Sequence, residues 1–381
     1  MPTTEQPSPM TRRENLRAVL RGQEPAWVPF AINFDQWFGH HKTFGTLPDE
    51  LRNCETYIDA QKALGCDIFS RNLDGGFREI DTRIESKFTR IKTDIGLRTI
   101  TEYHTPRGTL RGVLQQQAAI STCHNEEYFV KDWEIDGPAF EYYLDQHEYR
   151  WDAGAFIRTD DQVGDWGIVN IPLACTPLKF LHLNLGLEYT CLFINDYPEA
   201  ARRICDTYWE KVRPCLVQLA EHPRAESACL MDNVDTPFYP PNIARQLWAP
   251  YVKDAVGIMG GKGKHLFVHA CGKLSALSPI FAECRVSGLE GISHPYLGDW
   301  PADEAQMCHP GFVFIGGFSA REQDRNFSDE QVRAFYRDYL PKAGRRRFIF
   351  ASSCQTAITT AWERIKLVRD ICRQWGGMPV S

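Results

Sequence analysis

A histidine and two cysteines stand where predicted strands end. His269 and Cys271 close the apolar run KHLFVHAC (264–271), and Cys354 follows the run RFIFASS (347–353). Side chains alternate along a strand, so positions 269 and 271 point the same way. One imidazole and two thiolates suit zinc, and three protein ligands leave one position free for a substrate. The three residues are therefore candidate metal ligands, with ordinary burial in a core as the alternative for each cysteine.

Carboxylates and an amide occupy similar positions on two other runs. Glu290 lies at the start of LEGIS (289–293) and is a candidate fourth protein ligand, with a solvated or salt-bridged glutamate as the alternative. Asp232 and Asn233 lie in ACLMDNVD (228–235), where they could hydrogen-bond a substrate or orient a metal ligand. Helix capping before PPNIARQL is the alternative for the end of this run.

The loop GISHPYLGDW supplies two candidate proton-transfer groups, His294 and Asp299, although Asp299 equally fits a turn with Gly298. Trp37 and Trp300 fall near predicted strand ends or loops. They could line a substrate pocket or contact a methylated cation, and aromatic core packing is the alternative.

Eight short apolar runs must position these residues, and helical patterns separate most of them. The runs cover residues 27–33, 66–71, 165–173, 228–235, 264–271, 289–293, 312–318 and 347–353. Alternating strands and helices imply a parallel sheet, and eight repeats predict an α/β fold of the (β/α)₈ TIM-barrel type. The carboxyl ends of its strands would open on one face and bring the candidate residues together. A doubly wound open sheet is the alternative, but the chain contains no GxGxxG or GxxxxGK[ST] motif.

Other segments predict departures from a plain barrel. Residues 1–10 read as a disordered tail before a single domain, 11–381, whose first helix has Thr11 as N-cap and Glu14 three residues later. Residues 82–117 are rich in Thr, Ile, Val and Tyr with turn signals, which predicts an antiparallel insertion. Helices are expected from Trp133 to His147 and from about Glu188 to His222.

Composition excludes several classes of protein. A net charge of −6 and a pI near 6.0 argue against nucleic-acid binding, and no apolar stretch is long enough for a membrane helix. The polar opening MPTTEQPSPMTRREN has no apolar signal region, so we expect a cytoplasmic protein. Thirteen scattered cysteines do not suggest a disulfide framework in a chain of 381 residues whose opening has no apolar signal region.

Several segments resemble the methyltransferase branch of the uroporphyrinogen decarboxylase superfamily. They are MTRRENLRAVLRGQEPAWVPF (10–30), TEYHTPRGTL (101–110), EEYFVKDWEIDGPAFEYYL (126–144), MDNVDTPFYPP (231–241) and HACGKL (269–274). The resemblance implies the (β/α)₈ barrel and methyl transfer between small substrates, thiols or tetrahydrofolate and corrinoid proteins. True uroporphyrinogen decarboxylases carry an arginine-rich MRQAGR segment after the first strand. Here the corresponding stretch is NFDQWFGHHKTFG (33–45), so porphyrinogen decarboxylation is not expected.

The resemblance also implies a ligand set and a partner. The zinc-binding HxC motif with a distant cysteine maps onto His269, Cys271 and Cys354, and methionine synthase-type members add a glutamate, which supports Glu290. We therefore expect a zinc-dependent methyltransferase acting on a small methyl donor or acceptor. The corrinoid would be carried by a separate protein, since the chain has no DxHxxG motif. Relatives often dimerise, so a homodimer is one option, although the sequence leaves the oligomeric state open.

Two other functions fit the same barrel. One is a metal-independent decarboxylase or lyase in which Asp232, His294 and Asp299 carry out acid–base chemistry while the cysteines only pack. The other is a non-catalytic barrel that binds a corrinoid or a partner protein.

Overall fold

The computed structural model describes residues 10–81, 84–118, 122–295 and 297–378. Within them the chain forms two compact units. The first unit covers 10–73, 157–170 and 287–378, and the second covers 74–156 and 171–286. Residues 1–9 of the predicted tail lie outside the described residues.

The described residues form thirteen strands and fifteen α-helices. The strands are β1 Ile68–Ser70, β2 Phe77–Asp81, β3 Glu85–Thr93, β4 Gly96–Thr105, β5 Gly108–Gln117, β6 Thr122–Glu127, β7 His147–Trp151, β8 Gly167–Leu173, β9 Ser227–Val234, β10 His265–Ala270, β11 Gly288–Ile292, β12 Val313–Phe318 and β13 Phe348–Ser352. The helices are α1 Arg12–Leu20, α2 Asp35–Thr43, α3 Tyr57–Leu64, α4 Trp133–Gln146, α5 Ala153–Val163, α6 Pro177–Leu185, α7 Leu187–Asp196, α8 Pro198–Glu221, α9 Pro241–Leu247, α10 Ala249–Gly260, α11 Ser278–Cys284, α12 Ala302–Gln306, α13 Ala320–Gln323, α14 Asp329–Ala343 and α15 Trp362–Gly376.

The main sheet has the strand order β1-β8-β9-β10-β11-β12-β13, and helices connect its successive strands from β8 onward. The pairs β1–β8, β9–β10, β11–β12 and β12–β13 are parallel. A doubly wound sheet would reverse its order at a central strand, whereas a barrel keeps neighbours in chain order. The fold is therefore α/β with a curled, TIM-like parallel sheet, as predicted.

The first predicted strand, 27–33, forms a short bridged segment in the first unit. Phe30 bridges Phe350 of β13 in parallel, and the backbone N–H of Ala31 donates to the carbonyl of Phe350 at 2.8 Å. On its other side, the Phe30 carbonyl accepts from Asp67, the residue before β1, at 2.8 Å. The segment therefore takes a strand position between β13 and β1.

The predicted antiparallel insertion is confirmed in the second unit and is larger than expected. Strands β3, β4, β5 and β6 form a four-stranded antiparallel sheet, and β2 pairs with β7 in a separate ladder. Residues 82 and 83 of the prediction lie outside the described residues. The polar sequence of β6, TCHNEE, has no apolar alternation, so its strand depends on pairing with β5 rather than on local pattern.

Helix boundaries follow the capping signals closely. Thr11 and Glu14 form a capping box at the start of α1, as expected. The helix predicted from 133 to 147 is α4. The long helical stretch predicted from about 188 to 222 is confirmed, but it consists of two helices, because α7 ends at Asp196 and α8 begins at Pro198. Proline lacks the N–H needed to continue a helix and suits its first position.

No disulfide bond links any of the thirteen cysteines, all of which lie among the residues that the structure describes. No helix in the described part of the chain has the length and apolar character needed to cross a membrane.

Candidate metal centre

Two of the three predicted ligands come from the end of β10 in the second unit. His269 is 2% exposed within the strand, and Cys271 is half-buried directly after it. The pairing of β10 with β9 shifts register between Val268 and Ala270. Such an irregularity redirects side chains locally, and this one coincides with His269.

The loop after Cys271 is held by the loop that follows β9. The Asp235 carboxylate accepts a hydrogen bond from the Lys273 backbone N–H at 2.7 Å. The Thr236 hydroxyl donates to the Lys273 carbonyl at 2.6 Å. A Cβ at position 272 would lie 2.1 Å from the Asp235 carboxyl carbon, so Gly272 is needed for this close approach. Asp235 therefore anchors the backbone next to Cys271.

The third predicted ligand, Cys354, is half-buried on the turn after β13 in the first unit. The Ser352 hydroxyl accepts from the Asn33 N–H at 3.0 Å, and the Thr356 N–H donates to the Asn33 carbonyl at 2.8 Å. The Asn33 side-chain amide also donates to the Cys354 carbonyl at 3.3 Å. Asn33, at the end of the bridged segment, thus fixes the turn that carries Cys354.

The ligand atoms of His269, Cys271 and Cys354 all lie within 4.8 Å of one another. A tetrahedral zinc ion binds nitrogen at about 2.0 Å and sulfur at about 2.3 Å, so small side-chain adjustments would place all three around one ion. The donor set of one imidazole and two thiols also matches the preferences of zinc. These three residues could therefore bind a metal ion such as zinc.

Glu290, the predicted fourth ligand, is paired with an arginine instead of belonging to this group. Its carboxylate accepts from the Arg71 guanidinium at 2.6 Å, and both side chains are buried, at 6% and 7% exposure. This arrangement is the salt-bridged alternative considered from the sequence. A ligand role for Glu290 stays a prediction.

A polar network extends from Arg71 through residues that sequence reasoning missed. Arg71 donates to the Asn72 side chain at 2.9 Å. The Asn72 amide donates to Asn33 at 2.8 Å and to Asp35 at 2.6 Å. Burial raises the pKa of the Asp35 carboxyl, while the hydrogen bond from Asn72 opposes that rise. Each of these residues directly follows a predicted strand or lies within two positions of its end, which was the available signal.

Asp232 is fully buried, and both of its carboxylate oxygens are engaged. One oxygen accepts from the Thr176 backbone N–H at 2.7 Å, and the other accepts from the Trp248 indole N–H at 2.8 Å. Burial raises the pKa of Asp232, and these hydrogen bonds act in the opposite direction. The contacts favour a positioning role over proton transfer. Its neighbour Asn233, the predicted substrate ligand, is exposed.

His294 belongs to a buried polar cluster in the first unit. Its Nε2 lies 2.9 Å from a Glu322 carboxylate oxygen and 3.0 Å from the Ser319 hydroxyl, and its Nδ1 lies 3.2 Å from the Pro295 carbonyl. Burial alone would raise the pKa of Glu322, but the interaction with His294, together with hydrogen bonds from Arg321 and Ser319, outweighs burial and lowers that pKa. The cluster therefore keeps an ionised glutamate behind the imidazole.

The other predicted acid–base residue, Asp299, is half-buried on the same loop. The Gly298 N–H donates to the His294 carbonyl at 3.1 Å, and a Cβ at 298 would meet the Ser293 carbonyl oxygen at 2.1 Å. The turn considered from the sequence is therefore present at Gly298. Proton transfer by His294 or Asp299 stays a prediction.

The two tryptophans considered for the substrate pocket, Trp37 and Trp300, pack within the first unit. Trp37 is buried, donates its indole N–H to the Thr360 carbonyl at 2.9 Å and stacks on Trp362 with ring centroids 5.4 Å apart. Trp300 is buried and packs against Phe312 at 5.8 Å. These contacts match the packing alternative, and substrate binding by either indole is still a prediction.

A family model described as uroporphyrinogen decarboxylase (URO-D) matches residues 183–375, just over half of the chain. Among solved structures, a methyltransferase from Methanosarcina mazei aligns over 96% of this chain and 99% of its own, with 13% identity and a TM-score of 0.62. At that identity the likeness supports the shared fold alone. A structural-genomics target from Listeria monocytogenes, provisionally titled a vitamin-B12-independent methionine synthase, has 12% identity over 92% and 96% of the two chains. Its TM-score of 0.40 is too low to carry an argument. No curated protein sequence matches the chain.

Proposed function

The chain belongs to the uroporphyrinogen decarboxylase (URO-D) family, and we propose that it is a zinc-dependent methyltransferase working with a separate corrinoid protein. The observation that carries the proposal is the convergence of His269, Cys271 and Cys354 within 4.8 Å. One imidazole and two thiolates form a set that favours zinc over harder divalent ions such as magnesium. Three protein ligands also leave a coordination position for a substrate atom.

The surrounding residues support this role by holding the ligands in place. Asp235 holds the backbone near Cys271 by accepting a hydrogen bond from the Lys273 N–H. Asn33 holds the turn of Cys354 by donating a hydrogen bond to the Cys354 carbonyl. Preorganised ligands bind a metal more tightly because less conformational freedom is lost on binding. Bound zinc would supply thiolate activation of an acceptor or polarisation of a methyl donor.

A corrinoid partner and a small methyl donor or acceptor complete the proposal. The chain has no DxHxxG motif, which supports a corrinoid supplied by another protein. The similar structure from Methanosarcina mazei is that of a methyltransferase, which is consistent with the proposed transfer reaction. The decarboxylase alternative has less support, because the carboxylate of Asp232 is occupied by Thr176 and Trp248.

Metal content after chelator washing and zinc reloading tests the proposal. We expect about one zinc per chain in the wild type, and a loss of zinc in both Cys271→Ser and Cys354→Ser. Cys54→Ser is the matched control, since Cys54 is also half-buried and outside any disulfide bond. This variant should keep its zinc. Unchanged zinc in the two test variants would refute the assignment of these ligands. Metal-free protein that transfers methyl groups at the full rate would refute the zinc dependence.

A further inference from the structure

A cavity of about 490 Å³ lies within the first unit, where residues of α12, of α14 and of the loop after β11 line it. Cavities that bind small molecules commonly have volumes of about 300–1,000 Å³, so a compound of ordinary size fits here. None of the residues that line this cavity is one of the three proposed metal ligands. The cavity is therefore a candidate binding site in addition to the metal centre.

The buried part of the lining contains a hydroxyl that has no hydrogen bond. Tyr339 is 6% exposed, and its hydroxyl has no hydrogen-bonding partner in the described part of the chain. The imidazole of His294, which also lines the cavity, is by contrast within hydrogen-bonding distance of polar partners at both ring nitrogens. Buried polar groups are normally paired, so the Tyr339 hydroxyl is a group that a bound molecule would satisfy.

The exposed part of the lining is acidic. Asp303 and Glu304 stand in the first turn of α12, and Asp338 lies in α14. These three side chains, here called the acidic rim, are exposed and form no ion pair with any residue that the structure describes. Lys342 adds one positive charge to the same lining. The carboxylates outnumber it, so the rim attracts cations.

An organic cation fits this cavity better than a metal ion. A bound zinc ion has three or four protein ligands close together. Among the described residues, the proposed metal centre is the only group of three or more histidines, cysteines and carboxylates with that geometry, and the acidic rim does not form one. The lining also includes apolar surface from Phe335, Pro301 and Ala302, which suits the carbon body of an organic molecule.

We propose that this cavity binds an organic ammonium compound. The acidic rim holds the ammonium group by charge-assisted hydrogen bonds. The Tyr339 hydroxyl forms a hydrogen bond with an oxygen-bearing group of the same molecule, and the carbon body packs on Phe335. This site goes beyond the proposed methyl transfer and does not depend on zinc.

Three probes with the same 4-hydroxyphenyl body and different charges test the inference: tyramine, 4-hydroxyphenylacetamide and 4-hydroxyphenylacetate. Isothermal titration calorimetry measures their binding to the zinc-loaded, full-length protein. We expect tyramine, the ammonium probe, to bind most tightly and the carboxylate probe most weakly, because the acidic rim attracts one and repels the other. Equal affinity for all three, tighter binding of the amide or the carboxylate, or no detectable binding of tyramine would overturn the inference.

Two double variants test the acidic rim. Asp303→Asn combined with Glu304→Gln removes two of its carboxylates and should weaken tyramine binding about tenfold, while the binding of the neutral amide stays unchanged. Glu188→Gln combined with Glu199→Gln is the matched control, since these exposed glutamates also stand in the first turns of helices, in the second unit. It should leave tyramine binding unchanged. Equal weakening by the two double variants would overturn the role of the rim.

Tyr339→Phe tests the buried hydroxyl. The variant should fold normally, because the hydroxyl that it removes makes no hydrogen bond within the described residues. We expect it to weaken tyramine binding about tenfold, the effect of one lost hydrogen bond, and to leave the binding of 2-phenylethylammonium, which has no hydroxyl, unchanged. Equal affinities of the wild type and the variant for tyramine would contradict the hydrogen bond.

Cys354→Ser separates this site from the metal centre. We expect the variant to bind tyramine as tightly as the wild type, because Cys354 does not line the cavity. Loss of tyramine binding in this variant would place the probe at the metal centre and overturn the inference. Tyramine binding with the expected discrimination, in a wild type that takes up no zinc, would support the inference and refute the proposed function.

Discussion

The buried ion pair between Arg71 and Glu290 leads to the sharpest prediction about stability. The Arg71 Nε lies 2.6 Å from the Glu290 Oε2, and both side chains are at most 7% exposed. Exposed pairs contribute about 0–1 kcal/mol, but removing one member of a buried pair typically costs about 3–5 kcal/mol. The cost arises because the remaining charge stays buried without its counterion. We therefore expect Arg71→Met to lower the free energy of unfolding by about 3–5 kcal/mol.

A second substitution separates this cause from lost packing. Glu290→Gln in the Arg71→Met background removes the unpaired charge, so the double variant should recover most of the lost stability. Lys366→Met serves as the exposed-pair control, since Lys366 pairs with Glu50 at 2.9 Å with the two side chains 24% and 52% exposed. It should change stability by at most about 1 kcal/mol.

Equilibrium urea unfolding, followed by tryptophan fluorescence, measures the free energies of unfolding of five proteins: the wild type, Arg71→Met, Glu290→Gln, the double variant and Lys366→Met. The reasoning would be refuted if the loss of unfolding free energy in the double variant equalled the sum of the losses in the two single variants. That result would mean the two side chains contribute independently. A loss below about 1 kcal/mol for Arg71→Met would equally contradict a buried, coupled pair.

Three further predictions follow from contacts near the proposed site. Asp235→Ala removes the acceptor of the Lys273 N–H and should weaken zinc affinity about 10- to 100-fold, measured by competition with a chromogenic chelator. His182 has a pKa of about 4 when folded, below the ordinary value near 6.5 when unfolded, so its contribution to stability is present above pH 6.5 and is lost as the pH falls toward 4. His182→Leu should therefore reduce the loss of stability between pH 7 and pH 4.5, by up to about 3 kcal/mol in unfolding measurements, and an unchanged pH profile would contradict the assignment. Trp248→Phe leaves one Asp232 oxygen without its indole partner and should destabilise the protein by about 1–3 kcal/mol, whereas a loss near zero in thermal unfolding would contradict the contact.

Much of the fold could be predicted because its signals are local. Apolar runs bounded by polar or small residues located seven strands and the bridged segment 27–33, and Thr11 with Glu14 located the first helix. The break at Tyr197 was missed because the helical pattern continues on both sides of it. The extent of the antiparallel sheet was also underestimated, since β6 is polar and becomes a strand only through its partner β5.

The candidate ligands were visible in the sequence for the same reason. The HxC spacing and a cysteine after an apolar run are local patterns, and the barrel geometry predicts that strand ends meet. No such pattern predicts that Glu290 pairs with Arg71, 219 positions away. The sequence left the salt-bridged alternative open, and the structure shows the ion pair with Arg71.

By itself, then, the sequence determined the order of strands and helices and the types of side chain at the strand ends. The tertiary structure decided what those side chains contact. The Asp232 carboxylate accepts hydrogen bonds from Thr176 and Trp248, and the Asp235 carboxylate accepts one from Lys273. Alternation and capping act between residues a few positions apart, so composition and spacing reveal them. Hydrogen bonding and burial of a polar side chain depend on which distant segments surround it, and only the folded chain brings those segments together.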